Sequence, residues 1–133
     1  MKILVLDASS VLRFADNEAG ADRLQQLADL ASIGDAKLYI SPVNWGEVIY
    51  AALRVPRTST ADQLKADLHL EVTTLDQAEC ERAGHLKYDW KIPYADCFAA
   101  SLAATLKATL VTADYDFKPF STHLQIEFLP QKP

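Results

Sequence analysis

Four acids stand where a chain of this kind would gather its loops. Asp7 follows the apolar run Ile3 to Leu6, and Glu47 lies in the early turns of a helix opened by Ser41 and Pro42. Asp96 falls in the first turn of a helix beginning near Pro93, and Asp114 stands just past the strand-like stretch Thr109 to Thr112. Carboxylates crowded together without a countercharge repel and take up protons; a bound dication reverses that sense. An all-oxygen donor set selects a hard metal, so the expected occupant is Mg²⁺, with Mn²⁺ able to substitute and water completing the octahedron. Such a metal lowers the pKa of a bound water, orients it and offsets the charge that builds up during phosphoryl chemistry, which makes phosphodiester hydrolysis the natural reaction. The residues leave one metal or two equally open. Ser9, two positions after Asp7, and Thr112 are placed to hydrogen-bond a ligand carboxylate. Zinc lacks its ligands, because His69, His85 and His123 fall in no recognisable motif.

The elements that must position these acids follow from the hydrophobic pattern. Ile3 to Leu6 reads as a strand buried on both faces, with Asp7 at its carboxyl end. A short helix from Ser9 to Ala15 follows, and Asp16, Asn17 and Glu18 supply caps for a second helix that runs to about Ile33 and stops at Gly34. Leu38 to Ile40 is the second strand. Ser41 as N-cap and Pro42 at the first helical position open a helix whose expected inward stripe is Trp45, Val48, Ile49 and Ala52, with Glu47 beside it. Arg54 to Arg57 ends it, and another helix spans about Ser59 to Leu68. Glu71 to Leu75 forms a weaker third strand. Asp76 and Glu79 have reciprocal capping spacing at the head of a helix reaching about Asp89, so Asp76 reads as a cap rather than a ligand.

The stretch from Ile92 to Ala108 is the next helix. It is rich in alanine, with Phe98, Leu102 and Leu106 along it, and Ala99, Ala100, Ala103 and Ala104 below Asp96 allow a close approach by another element. Taken alone, Asp96 would merely complement the helix dipole, a role worth roughly 0.3–1 kcal/mol. Three further acids at the same edge make it a candidate metal ligand. Thr109 to Thr112 is the fourth strand and Ile126 to Leu129 a closing edge strand before Pro130. Alternating strands and helices predict a three-layer α/β/α sandwich with a largely parallel sheet of four to five strands, as a single domain over residues 1–133. Ligands of such sheets bind outside the carboxyl ends of the strands, where all four acids can meet.

Composition excludes several classes. Half of the 133 residues are hydrophobic and 23% are charged, with four Gly and six Pro, the balance of a folded globular chain rather than a disordered or fibrous one. The N-terminus is apolar for only four residues before Asp7, too short for a signal-peptide core or a membrane span, so the expected location is cytoplasmic. Cys80 and Cys97 form no CxxC pair and read as reduced core residues. The net charge of −5 argues against a partner held by a broad basic surface. With four acids committed to metal, the remaining surface is close to neutral and leaves room for a local basic patch.

The run Leu6-Asp7-Ala8-Ser9-Ser10, Glu47 in the helix after the second strand, Ile92-Pro93-Tyr94-Ala95-Asp96-Cys97-Phe98-Ala99-Ala100-Ser101, and Val111-Thr112-Ala113-Asp114-Tyr115-Asp116-Phe117 resemble the PIN-domain ribonucleases. The likeness is to the VapC-type toxins of bacterial toxin–antitoxin pairs in particular. It covers essentially the whole chain in order and length. It implies a PIN-like fold, Asp7, Asp96 and Asp114 as metal-site acids, Glu47 as the fourth acid, and Asp116 as a frequent but less constant one. It further implies a Mg²⁺- or Mn²⁺-dependent endoribonuclease, homodimeric, held inactive by a cognate antitoxin whose tail covers the active-site groove, with no membrane partner. Ala8 departs from the Thr or Ser common at that position, which removes a hydroxyl but none of the acids. A nuclease of RNA processing outside toxin systems, and a PIN-like scaffold without activity, are the alternatives.

Candidate RNA contacts near the strand-end rim are Arg13, Arg54, Lys91 and Lys118, with Tyr94, Tyr115 and Trp45 available for stacking. The competing reading is solvated surface for the bases and core for the aromatics, and Arg54 and Arg57 can equally face an antitoxin. A phosphoaspartyl enzyme or receiver domain also places an Asp after the first strand. The first needs a second Asp where Ser9 stands, and the second a Lys where Ala113 and Asp114 stand.

Overall fold

A computed structural model describes residues 1–133. Five strands, β1 (Lys2–Leu6), β2 (Ala36–Ile40), β3 (Leu70–Val72), β4 (Thr109–Thr112) and β5 (Ile126–Phe128), form one sheet in the order β3-β2-β1-β4-β5, and every neighbouring pair is parallel. Six α-helices connect them: α1 (Ala8–Ala15), α2 (Ala21–Ser32), α3 (Pro42–Arg54), α4 (Ala61–Asp67), α5 (Gln77–Trp90) and α6 (Tyr94–Leu106), with a 3₁₀ helix over Tyr115–Thr122. The alternation of side chains along β1 shows the three layers. Leu4 and Leu6 pack with Val11, Leu24, Leu27, Val48 and Leu64 from α1 to α4, whereas Val5 faces Ala83, Phe98, Ala99 and Leu102 of α5 and α6 together with Phe117 and Phe120. Both faces are covered, as an all-parallel sheet requires.

From β1 the chain winds outward through β2 and β3, then returns to place β4 on the other side of β1. The carboxyl ends of β1 and β4 are therefore the switch point where successive loops diverge and leave a crevice. Leu6 pairs with Val111 there, so the next residues along, Asp7 and Thr112, stand side by side.

Several local expectations shift. The second helix takes no cap from Asp16, Asn17 or Glu18. Asp16 instead closes α1, its N–H donating to the Leu12 and Phe14 carbonyls, and the chain turns through left-handed Asn17 and Gly20 before α2. Gly20 has φ 97°, and a Cβ there would lie 2.9 Å from Leu129 Cβ, so the turn depends on glycine twice over. In α3 the buried line runs through Asn44 and Val48, with Trp45 partly buried, while Ile49 is 38% exposed. Burial follows an i, i+4 row, and Ile49 lies one residue past it. Pro93 is the N-cap of α6 rather than its first helical residue.

Helix α6 is buried continuously from Cys97 to Ala103, but Ala104 is exposed. Only half of the expected capping box at α5 forms: Glu79 N–H donates to Asp76, but the buried Glu79 side chain has one carboxylate oxygen without a partner. The complete box is at α4, between Thr60 and Gln63. The third strand is Leu70–Val72, shorter than expected and one residue earlier. Of the cysteines, Cys97 is buried and Cys80 partly so, and neither is bridged.

Candidate metal centre at the strand ends

Asp7 is held from every side. It caps α1, with Ser10 N–H donating to Oδ1 at 3.0 Å. The Ser9 hydroxyl donates to the same oxygen at 2.7 Å, and the Thr112 hydroxyl donates to Oδ2 at 2.5 Å. Neither hydroxyl is free to turn away. Ser9 Oγ accepts the Ala113 N–H at 2.9 Å, and Thr112 Oγ1 accepts the Asp114 N–H at 2.9 Å. A hydroxyl whose acceptor side is occupied by a backbone N–H must aim its proton elsewhere, here at the carboxylate. The loop after β4 thus orients both donors toward the acid after β1. Asp7 is only 3% exposed; burial raises its pKa, and the bonds from Thr112, Ser9 and Ser10 act the other way without cancelling it.

Ser10 carries a role that the hydrophobic pattern hides. Its buried hydroxyl donates to the Val111 carbonyl at 2.5 Å and lies 3.1 Å from Asp7 Oδ1, tying α1 to β4 behind the acid. The signal available in the sequence was its place three residues after a capping Asp, on the inward side of a short helix.

Asp96 is placed differently. It is half-buried in the first turn of α6. Its carboxyl is pushed up to about 7, first by burial and then by the negative charges of Asp114, Asp7, Glu47 and Asp116. That set contains the three other expected acids and the accessory one, so the structure brings all five into one electrostatic neighbourhood. Asp114 caps the 3₁₀ helix, with Asp116 N–H donating to its Oδ1 at 2.9 Å, which leaves Oδ2 available. Glu47 is exposed, yet its Oε1 accepts a 3.0 Å bond from the side-chain amide of Asn44. No three of the acids close into a preformed cage. Mg²⁺ is usually bound through one or two carboxylates directly and keeps several waters, through which further acids can act.

Asn44 was not anticipated. It is fully buried on α3, and besides Glu47 its amide donates at 3.1 Å to the Ala95 carbonyl, one residue before Asp96. Its own carbonyl oxygen is buried without a partner, an arrangement that costs about 1–3 kcal/mol. Its signal was the spacing: Asn44 precedes Val48 by four residues and so shares its buried row.

The expected RNA contacts divide. Arg13 Nη1 donates to the Ala19 and Pro130 carbonyls at 2.7 and 2.8 Å, so the base expected at the rim also ties α1 to the C-terminal segment. Tyr115 stacks on Phe128 and donates to the Leu129 carbonyl. Tyr94 packs edge-on against Phe98 and remains 48% exposed. Lys91, the left-handed C-cap of α5, lies over the Tyr88 ring; Lys118 is exposed on the 3₁₀ helix. Trp45 is partly buried with Lys65 over its ring, and Arg54 lies over Tyr50. Arg57 pairs with Asp16 in two bonds of 2.6 and 3.2 Å and also donates to the Ala51 and Val55 carbonyls.

A parallel sheet in this order with acids at its switch point is the architecture of the PIN domain, and the family model of that name matches residues 4–121; the chain belongs to the PIN-domain family. Its structural neighbours include VapC toxins. VapBC2 of Rickettsia felis, solved bound to a DNA fragment from the promoter, superposes with a TM-score of 0.69 at 21% identity, covering 96% of this chain and 99% of the other. VapC20 of Mycobacterium tuberculosis, a toxin that cleaves the sarcin–ricin loop, gives 0.68 at 16% identity over 96% and 99%. VapBC-1 of nontypeable Haemophilus influenzae gives 0.66 at 20% over 95% and 97%. No curated protein matches the sequence. No helix is long and apolar enough to cross a membrane.

Proposed function

We propose that the protein is a Mg²⁺-dependent endoribonuclease acting as the toxin of a toxin–antitoxin pair. The observation that carries this reading is the loading of Asp96 by four other acids at the sheet's switch point, next to an Asp7 whose orientation is fixed by two hydroxyls. An all-oxygen cluster whose members push one another's protons on is a site that gains most from a hard dication. Asp7, Asp96 and Asp114, with Glu47, would hold it, and Mn²⁺ would substitute. When bound, the metal supplies charge for the scissile phosphate and an acidified water.

The chain's own residues do the rest. Ser9 and Thr112 present both Asp7 oxygens as acceptors in one orientation, Asp116 N–H turns Asp114 so that Oδ2 remains available, and Asn44 steadies Glu47. Arg54, Lys91, Lys118, Tyr94 and Tyr115 are exposed and available for an RNA strand. Family membership and the VapC neighbours support RNA as substrate and an antitoxin as partner. The exposed run Ile49, Tyr50, Leu53 and Val55 at the end of α3 supports a protein partner, antitoxin or second copy, on that face.

Antitoxin-free protein incubated with single-stranded or loop RNA is expected to cut with Mg²⁺ or Mn²⁺ and to stop with EDTA or with Asp96→Asn. Equal cutting in EDTA, or by the variant, would sink the metal-nuclease reading. End-mapping of cellular RNA after expression of wild type and Asp96→Asn side by side would then locate the cut.

A further inference from the structure

We infer that Asn44 is the positioning residue of this site, a two-armed spacer that sets Glu47 against Asp96. The inference rests on the metal-centre reading and adds to it a residue outside the acid set.

The chemistry is specific to a primary amide. Asn44 Nδ2 carries two protons in one plane at a fixed angle. One goes to Glu47 Oε1 at 3.0 Å, on its own helix three residues on, and the other to the Ala95 carbonyl at 3.1 Å, in the turn of α6 that carries Asp96. The assignment of nitrogen and oxygen is forced, since the flipped amide would set its oxygen against two acceptors. Asn44 is 0% exposed and its carbonyl has no partner. A buried orphan acceptor calls for an explanation, and at a site where Leu would fill the same volume the two bonds of the donor end supply it. A hydroxyl would serve one arm only, and the longer Gln would not fit the same two points. Asn44 has no charge to offer a metal; it acts through Glu47 and through the start of α6.

The test is Mn²⁺ binding, read by the loss of free-ion EPR signal, together with thermal unfolding, on Asn44→Leu, Glu47→Gln and the double variant, with Asp96→Asn as control. Asn44→Leu is expected to keep or raise the metal-free unfolding temperature while weakening Mn²⁺ binding about 10–100-fold, the range for supporting residues of metal ligands. The double variant is expected to lose less than the two single losses added together, since the Glu47 arm is counted in both, and more than Glu47→Gln alone by the share carried through α6. Asn44→Ser, which keeps one arm, is expected to fall between wild type and Leu, and it carries the test if the Leu protein does not fold. Wild-type Mn²⁺ binding by folded Asn44→Leu or Asn44→Ser, with Asp96→Asn impaired, would overturn this inference alone. So would additive losses in the double variant. Wild-type binding by Asp96→Asn would overturn the metal-centre reading, and the inference with it.

Discussion

Asp7 and Asp96 stand at the same edge of one sheet, and burial raises both carboxyls above the ordinary range, yet their neighbours act in opposite senses. Asp7 is buried and satisfied: two oriented hydroxyls and a backbone N–H meet its two oxygens. Asp96 is half-open and loaded by four like charges after burial itself. One acid is anchored by the fold; the other is crowded by like charge. Under the proposed metal reading the pairing would divide the labour, with a rigid ligand fixed before the ion arrives and adaptable ones whose repulsion the ion relieves. It also separates what substitutions near each acid will do.

The largest difference is expected between the acids and everything around them. Asp96→Asn will remove cleavage and weaken Mn²⁺ binding while raising the unfolding temperature of the metal-free protein, because it deletes the most charge-loaded carboxyl. Lower stability together with lost activity would instead mark a structural role.

Next come the hydroxyls. Thr112→Val and Ser9→Ala are each expected to cost about 10–100-fold in metal affinity or activity, with Thr112 the larger, since it alone serves Asp7 Oδ2 and is itself buried. The same affinity measurement checks both, and a wild-type value for Thr112→Val would remove the distinction between an anchored and an open acid.

The pH dependence sharpens the comparison further. The Asp96 carboxyl titrates near 7 in the fold against 3.8 ordinarily. A raised carboxyl pKa contributes stability below the unfolded value, and that contribution is lost as pH climbs through the folded one. Metal-free protein is therefore expected to melt at falling temperature between about pH 4 and about pH 7, by less in Asp114→Asn, where one of the opposing charges is gone. Saturating Mg²⁺ will reverse the slope. Calorimetry across that window checks it.

The smallest effect belongs to Arg13. Because its Nη1 holds two carbonyls, Arg13→Ala is expected to lower stability by about 1 kcal/mol, a few degrees in a domain of this size, with the KM for RNA unchanged. A raised KM at unchanged stability would restore it to the RNA-binding surface.

The acids were legible because each sits next to a strong local signal: a strand-like stretch for Asp7 and Asp114, Ser41 and Pro42 for the helix of Glu47, Pro93 for Asp96. The layered parallel sheet followed from the same alternation. What stayed hidden are groups whose role depends on contacts far away in sequence. Ser10 reaches Val111, and Asn44 reaches Ala95; a polar residue in an amphipathic helix reads as surface until its row is seen to be buried. Arg13 hides a long-range contact of the same kind, an ordinary surface base by pattern whose Nη1 also reaches the Ala19 and Pro130 carbonyls. The start of α2 was missed because a left-handed glycine, not a side-chain cap, makes that turn.

The most direct test of the shared acidic site is the titration of the Asp96 side-chain carboxyl by ¹³C NMR, with and without Mg²⁺. The account predicts a midpoint near 7 in metal-free protein, a lower one in Asp114→Asn, and a fall toward or below the ordinary carboxylate range when Mg²⁺ is added. An ordinary midpoint that neither the neighbouring acid nor the metal moves would contradict it.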